Sequence, residues 1–292
     1  FLLGSDETLQ TGIAETARDF EQKTTDYWRQ WTRRLALPLE WQDAVIRAAI
    51  TLKLSLYEDT GAIIAAMTTS IPEAPGSSRN WDYRYCWLRD AFFVVRALNS
   101  LSEVATMEDY LRWMSNVVID SQGGHIQPLF GIGLEKSLPE SFVDNLPGYR
   151  GMGPVRVGNQ AQEHFQHDVY GNVILGAAQA FHDHRLLHRA GAREFRALER
   201  VGEQAVRVFD QPDAGMWELR TRARIHTSSA IMSWAACDRL AKIAATLKLP
   251  DRADYWAGHA EGMRERILKE SWNEERQAFA ESFGGRDMDA SV

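Results

Sequence analysis

The sequence is poor in cysteine, in long apolar runs and in positive charge, and each shortage excludes a class of protein. Its 292 residues contain only Cys86 and Cys237, both in apolar or aromatic surroundings, so a disulfide framework is not expected. The sequence has no run of 18 or more apolar residues, which is the length that a membrane-spanning helix needs. The net charge is −7, and no basic stripe offers a surface to nucleic acid. We expect a reduced, cytoplasmic protein that binds neither nucleic acid nor membranes.

Signatures of metal and serine chemistry are missing as well. Five of the eight histidines lie close together in the sequence: His164, His167, His182, His184 and His188. Their spacing matches neither the His-Glu-x-x-His pattern nor a Cys/His zinc site. A Gly-x-Ser-x-Gly elbow is also absent. We therefore expect no metal and no cofactor, and carboxylates remain as the candidate catalytic groups.

Most of the sequence has the period of amphipathic helices, and glycine, proline and tryptophan concentrate in the connections. Residues 6–35 predict a long, solvent-facing linker helix that docks through its last turns, near Trp28 and Trp31. Seven further helices are predicted, at about 41–57, 88–101, 106–119, 165–187, 192–209, 228–247 and 252–269.

Short and long connections alternate between the predicted helices. The link at 248–251 is short, whereas those at 61–87, 121–162 and 210–227 are long. If the helices pair antiparallel around a ring, the long connections gather on one face, where a pocket can form. An all-α fold of the α/α toroid type fits this alternation. An irregular helical bundle, in which the long loops serve no common site, is the alternative that periodicity leaves open.

Segment 78–90, S-R-N-W-D-Y-R-Y-C-W-L-R-D, combines aromatic rings with arginines and aspartates. Its rings fall at every second position from 81 to 87, which predicts an extended backbone. Sugar rings lie with their apolar faces on aromatic planes such as Tyr83 and Trp87, and their hydroxyls need donors and acceptors such as Arg89 and Asp90. A sugar pocket is one interpretation, and an aromatic core segment with surface ion pairs is the other.

A second candidate region is the turn that follows the helix ending near residue 209. Its sequence, D-Q-P-D-A-G-M-W-E-L-R over 210–220, places Glu218 beside Trp217. A carboxyl group against an indole loses water on one side, which favours the protonated form that a general acid needs. By itself this pair is a weak signal. It gains weight because it lies on the same class of long loop as segment 78–90.

A third region, 146–159, contains four glycines and two prolines, so its backbone turns tightly. It is not a phosphate loop, because it lacks the Lys-Ser/Thr ending and the strand-to-helix setting of such loops. Arg156 and Asn159 are candidates for binding sugar hydroxyls. Equally, Arg156 is able to cap carbonyl groups in a rigid loop, and both interpretations stay open.

Several motifs occur in the order typical of glycoside hydrolase family 15, and the chain resembles that family from about residue 40 to its end. The family comprises glucoamylase-like enzymes, among them glucoamylases, glucodextranases and bacterial trehalases. The matching positions are 68–73, 79–91, 148–149, 154–159, 168–171, 213–220, 238–239, 283–285 and 287–291.

This resemblance implies an (α/α)6 barrel and inverting, exo-acting hydrolysis of an α-glucosidic bond. One carboxylic acid protonates the leaving oxygen, and a second carboxylate activates water on the opposite face of the sugar. Glu218 matches the general acid of the family, and Arg89 and Asp90 match residues that hold the glucose hydroxyls. The positions that resemble the aromatic walls of this subsite are Tyr83, Trp87 and Trp217.

The resemblance also implies a longer protein. Residues 1–38 are expected to be a linker helix after a missing β-sandwich, and 39–292 to be a partial barrel with seven or eight of twelve helices. The family's general base lies further toward the C-terminus and has no match in this chain. We therefore expect the chain, assayed alone, to hydrolyse little. The oligomeric state is not predicted.

Departures from the family pattern narrow the expected substrate. Leu219 follows Glu218, where fungal glucoamylases carry a second Glu, and Ala230 stands where a Lys is common. These differences favour a bacterial form that acts on short oligosaccharides or trehalose. Two alternatives remain, a sugar-binding toroid without catalysis and a helical interaction domain whose aromatic loops are core.

Overall fold

The fold is carried by helices joined through loops that contain only short strand pairs. The computed structural model describes residues 3–4 and 8–292. Within them, eight α-helices occur: α1 (Ile13–Thr32), α2 (Gln42–Leu54), α3 (Leu88–Ser100), α4 (Ala105–Ser121), α5 (Asp168–His182), α6 (Ala192–Val208), α7 (Thr227–Thr246) and α8 (Pro250–Ser271).

The strands form four separate antiparallel pairs of two residues each in the described part of the chain. They are β1 (Leu56–Tyr57) with β2 (Ala62–Ile63), β3 (Cys86–Trp87) with β4 (Leu129–Phe130), β5 (Ser141–Phe142) with β6 (Arg156–Val157), and β7 (Trp272–Asn273) with β8 (Ala278–Phe279).

The helix boundaries follow local signals that the sequence carries. Pro250 opens α8, where its missing N–H is not needed. Before α6, the Gly191 N–H donates to the Glu194 carboxylate at 2.9 Å and so satisfies a free backbone donor. The prediction of a helix over 165–187 was too long at both ends. The chain leaves the helix at Asp183, because the carboxylate of Asp183 binds the backbone N–H and the guanidinium of Arg185.

Helix α5 lies at the centre of the packing and is buried along most of its length. It contacts α3, α6 and α7, and its apolar residues belong to one large core shared with α4 and α8. A helix that is apolar on nearly all sides is expected in such a position. Gly171 lets α5 approach α7, since a Cβ there would lie 2.4 Å from the Met232 carbonyl oxygen.

Helix α1 contacts the rest of the chain mainly through its last turns. Trp31 and Leu35 pack with Ala49 of α2 and Leu98 of α3 in a small second core. The structure places this helix within the predicted span 6–35 but starts it later, at Ile13. Residues 1, 2 and 5–7, on which part of that prediction falls, lie outside the described residues. The division into a linker at 1–38 and a barrel at 39–292 stays a prediction.

Long and short connections alternate as the sequence indicated. The chain uses 55–87, 122–167 and 209–226 after α2, α4 and α6, and short links after α3 and α7. The long connections therefore precede α3, α5 and α7, whose N-terminal turns share the partial positive charge of a helix start. None of the helices in the described ranges is long and apolar enough to span a membrane.

Candidate active site

Segment 78–90 is extended up to Trp87 and then enters α3. The backbone N–H groups of Ala65 and Ala66 donate to the carbonyl oxygens of Tyr85 and Tyr83, both at 2.9 Å. Cys86 and Trp87 form β3, and α3 begins at the next residue. This change from extended to helical backbone places Arg89 and Asp90 in the first helical turn. The predicted extended rhythm is confirmed.

Glu218 lies on residues 213–224, which we call the Glu218 loop. Its neck is closed by Asp213 and Arg224, whose backbones exchange hydrogen bonds of 2.9 and 3.1 Å. The backbone of Glu218 has φ +56°, in the left-handed region. Few non-glycine residues adopt this conformation, and it occurs more often at functional sites. It directs the side chain of Glu218 towards Trp87.

Three side chains from other segments contact the same oxygen of Glu218. The Trp87 indole N–H donates to Oε1 at 2.6 Å, and the Gln166 amide donates to it at 3.2 Å. Arg89 Nη2 lies 3.6 Å from Oε1. The Glu218 side chain retains 24% of its exposure, whereas Trp87 is 2% exposed. Segment 78–90 and the Glu218 loop, predicted as separate candidates, thus meet at one carboxylate.

Arg89 lies at the centre of a group of side chains that we call the Arg89 cluster: Trp87, Arg89, Asp90, Gln166, Asp168 and Glu218. Besides Glu218, its guanidinium donates to Gln166 Oε1 at 3.0 Å and to Asp168 Oδ2 at 3.3 Å, and its Nε lies 3.7 Å from Asp90 Oδ2. Three carboxylates therefore surround one cation. Asp90 and Asp168 lie in the first turns of α3 and α5, where the helix dipole favours negative charge.

Asp90 has an electrostatic environment suited to a ligand. Burial raises the pKa of its carboxyl group, the Arg89 charge acts in the opposite direction, and the Glu218 charge raises it again. Oδ2 of Asp90 has no accessible surface, lies 3.7 Å from Arg89 Nε and accepts no hydrogen bond from the described part of the chain, whereas the side chain as a whole is 43% exposed. The exposed part of this carboxylate is able to accept a hydrogen bond from a hydroxyl group.

The predicted aromatic residues take different positions. The Tyr83 ring lies 5.9 Å from that of Trp87, and its pKa is raised by burial and then by the charges of Glu73, Glu218 and Asp90. Trp217 is 53% exposed. Its indole N–H donates to both carboxylate oxygens of Asp289, at 2.8 and 3.0 Å, and the indole bonded to Glu218 is that of Trp87.

Arg156 and Asn159 are not brought into the Arg89 cluster by any contact among residues 8–292. Arg156 pairs with Glu140 and stacks over Trp81 at 4.8 Å, and its Nη2 approaches the Ser78 carbonyl at 3.4 Å. Asn159 is buried and caps a short 3-10 helix by accepting from the Ala161 N–H at 2.9 Å. The geometry favours the rigid-loop interpretation of Arg156.

Sequence reasoning missed three side chains near the cluster. Gln166 links Arg89 to Glu218, and Asp168 accepts from Arg89. Arg220, two residues after Glu218, bonds Glu140 and Gln160 at 2.9 Å each and lies 4.1 Å above the Trp81 ring. The signal for Gln166 and Asp168 was their place at the start of α5, where a long connection ends.

The arrangement has the chemical components of a hydrolytic subsite. It contains a carboxyl group with an ordered donor shell, a largely buried cation and a partly exposed carboxylate beside that cation. Among the described residues, no group of three or more His, Cys, Asp or Glu side chains is arranged to hold a metal ion.

The chain is similar to proteins of known family. The sequence profile described as glycosyl hydrolases family 15 matches residues 40–292. A trehalase of Mycobacterium tuberculosis is 35% identical over 287 residues, which cover 95% of this chain and 41% of that protein. A trehalase of Thermoplasma volcanium is 32% identical, over 93% of this chain and 42% of that protein. The chain thus spans about two fifths of the length of these relatives.

Two solved structures share the fold. A bacterial glucoamylase complexed with acarbose superposes with a TM-score of 0.67 at 17% identity, over 94% of this chain and 36% of that one. The glucoamylase of Saccharomycopsis fibuligera gives 0.55 at 12% identity, over 83% and 52%. These likenesses confirm the predicted class, an all-α fold of the α/α toroid type, and the described residues form eight helices in total.

Proposed function

Because the chain belongs to glycosyl hydrolases family 15, as its motifs indicated, we propose that the full-length protein hydrolyses an α-glucosidic bond of trehalose or a short oligosaccharide. The observation that carries this proposal is the convergence of Trp87, Gln166 and Arg89 on Glu218. Trehalose is the first substrate to test, because relatives that cover most of the chain are named trehalases.

Glu218 is assigned as the general acid. Its Oε1 is occupied by donors, whereas no hydrogen bond to Oε2 occurs within the described residues. Oε2 is therefore the oxygen that can hold a proton and deliver it to the glycosidic oxygen. As the proton leaves, Oε1 gains negative charge, and the bonds from Trp87 and Gln166 become stronger. These donors thus favour the transition state over the ground state.

Arg89 and Asp90 are assigned to the sugar hydroxyls. Asp90 offers a carboxylate whose side chain is 43% exposed, and Arg89 is held in place by Gln166 and Asp168. A guanidinium that is already oriented loses little entropy when it binds a ligand. We assign the aromatic faces of the subsite to Tyr83 and Trp217, whereas Trp87, which is 2% exposed, holds Glu218 and offers no face to a ligand. Of these, Trp217 is the most exposed.

The reaction is proposed to invert the anomeric carbon. A second carboxylate about 6.5–9.5 Å from Glu218 would activate the water in such a mechanism. We assign that role to none of the described carboxylates, because Asp90 and Asp168, which share Arg89 with Glu218, are held by that cation. Inversion makes a direct prediction for trehalose, because the attacked glucose leaves as the β-anomer and the other remains α. Proton NMR of the first products distinguishes equal anomers from α-glucose alone.

The role of Glu218 is tested by Glu218→Gln in the full-length protein. The amide keeps the shape of the side chain but has no proton to give, so kcat for trehalose should fall at least about 100-fold. Glu275→Gln, an exposed change from the same residue type, should leave kcat unchanged. Maltose and isomaltose are assayed in parallel.

A loss of less than about tenfold in Glu218→Gln would contradict the assignment. A protein that binds trehalose in calorimetry but hydrolyses none of the three sugars would instead be the sugar-binding toroid without catalysis.

A further inference from the structure

A buried carboxylate outside the cluster joins the two segments that form it. Asp213 is 2% exposed and lies at the neck of the Glu218 loop. Its Oδ2 accepts the backbone N–H of His167 and the hydroxyl of Ser229, each at 2.8 Å. One carboxylate oxygen therefore links the Glu218 loop, the start of α5 and the start of α7.

The bond to His167 is significant because of the neighbours of that residue. His167 stands between Gln166, which bonds both Arg89 and Glu218, and Asp168, which accepts from Arg89. We call residues 165–168 the Gln166 segment. A second bond fixes this segment to the residue after Asp213, because the Ala214 N–H donates to the Phe165 carbonyl at 2.9 Å.

We propose that Asp213 is a positioning residue that holds the Gln166 segment and the Glu218 loop in register, so that Gln166 bridges Arg89 and Glu218. This inference rests on the proposed function of Glu218. Asp213 itself touches none of the groups assigned to the sugar. It acts on them through the His167 backbone and through the neck it forms with Arg224.

The geometry requires an acceptor at this position and does not require a charge. Both bonds reach the same oxygen, and an amide oxygen can accept two donors in the same way. Burial raises the pKa of Asp213, while the His167 and Ser229 bonds act in the opposite direction. Oδ1 of Asp213 is buried without a hydrogen bond from the described residues, so the NH2 group of asparagine would be buried there. Asparagine should therefore keep kcat and lower stability, whereas alanine should release the Gln166 segment.

The test compares Asp213→Ala and Asp213→Asn in the full-length protein with trehalose, with kcat expressed per active site of folded protein, counted from near-UV circular dichroism. We expect alanine to lower kcat about 30-fold with KM within about threefold, because misplacement of a catalytic group affects the transition state more than binding. Asparagine should keep kcat within about threefold. Crystal structures should show the distance from Gln166 Nε2 to Glu218 Oε1 lengthened from 3.2 Å in the alanine variant alone.

Asp183→Ala is the matched control. Asp183 is also buried, also accepts a backbone N–H at 2.9 Å, and lies at the opposite end of α5. Its loss should lower Tm and leave kcat per site unchanged. A purely structural role of Asp213 predicts the same pattern for Asp213→Ala, and that result would overturn the proposal.

Two further outcomes decide the inference. If Asp213→Asn lowers kcat as much as Asp213→Ala, the negative charge of Asp213 matters more than its ability to accept hydrogen bonds, and the proposal is overturned. If Asp213→Ala does not fold, Ser229→Ala replaces it, with an expected fall of about tenfold in kcat, and a kcat within about threefold of the parent is then the refuting result. The crystallographic distance needs no reaction, so it judges Asp213 even if Glu218→Gln shows that the proposed function is wrong.

Discussion

Trp87→Phe isolates the strongest bond to the proposed acid. The substitution removes the indole N–H that donates to Glu218 Oε1 at 2.6 Å and keeps an aromatic ring in the buried site. A hydrogen bond to a charged group contributes about 1.5–3 kcal/mol. If the bond forms fully only when Glu218 has lost its proton, most of that energy is lost from the transition state. The expected fall in kcat is then about 10–100-fold.

Trp256→Phe is the control for the loss of a buried indole N–H and of ring volume at a site away from Glu218. Trp256 is also buried, and its indole N–H also donates to a carboxylate, Glu199 Oε1, at 2.8 Å. Both variants lose the same kind of bond and the same ring volume, so both should have a lower Tm. Steady-state assays on trehalose and thermal unfolding are measured side by side. Equal kcat in the two variants would refute the transition-state role of the Trp87 bond.

Two other predictions concern stability alone. Gly202→Ala should destabilise the protein by about 1–3 kcal/mol, because its Cβ would lie 2.3 Å from Leu240, whereas Gly258→Ala, with open space around it, should stabilise by about 0.5–1 kcal/mol in denaturant titrations. The hydrogen bond from Arg185 lowers the pKa of the Asp183 carboxyl group in the folded protein. The pair therefore stabilises the fold at pH values above the pKa that Asp183 has in the unfolded chain, and this stabilisation is lost as the pH falls towards the lower folded pKa. Asp183→Asn should therefore unfold more easily at pH 7, with a difference that shrinks below pH 4.

The fold was predictable to the extent that local signals decide it. The starts of α3, α6 and α7 lie within one residue of the predictions, because apolar period and chain breakers act over short distances. The end of α5 was missed because His182 to Leu187 carries no glycine or proline. What stops the helix there is a contact between Asp183 and Arg185, which composition does not reveal.

The candidate site was predictable in its charged residues and not in their neutral links. Arg89, Asp90 and Glu218 attract attention because ionisable groups on long loops are candidates for chemistry. Gln166 was passed over although it bonds two of the three, because an amide has no titration to suggest a role. Its function depends on a contact across 52 positions of the chain, which only the folded structure shows.

Core packing and pocket lining were alternative interpretations of segment 78–90, and in the structure the segment combines buried and partly exposed residues. Trp87 and Asp82 are almost fully buried, while Tyr83 and Trp81 keep part of their surface. Burial strengthens the hydrogen bond from Trp87 to Glu218, because the N–H of an exposed indole would also bond water. A carboxyl group that must release a proton at a fixed place needs a donor that cannot move. Core packing around Trp87 is therefore a requirement of the proposed site and not an alternative to it.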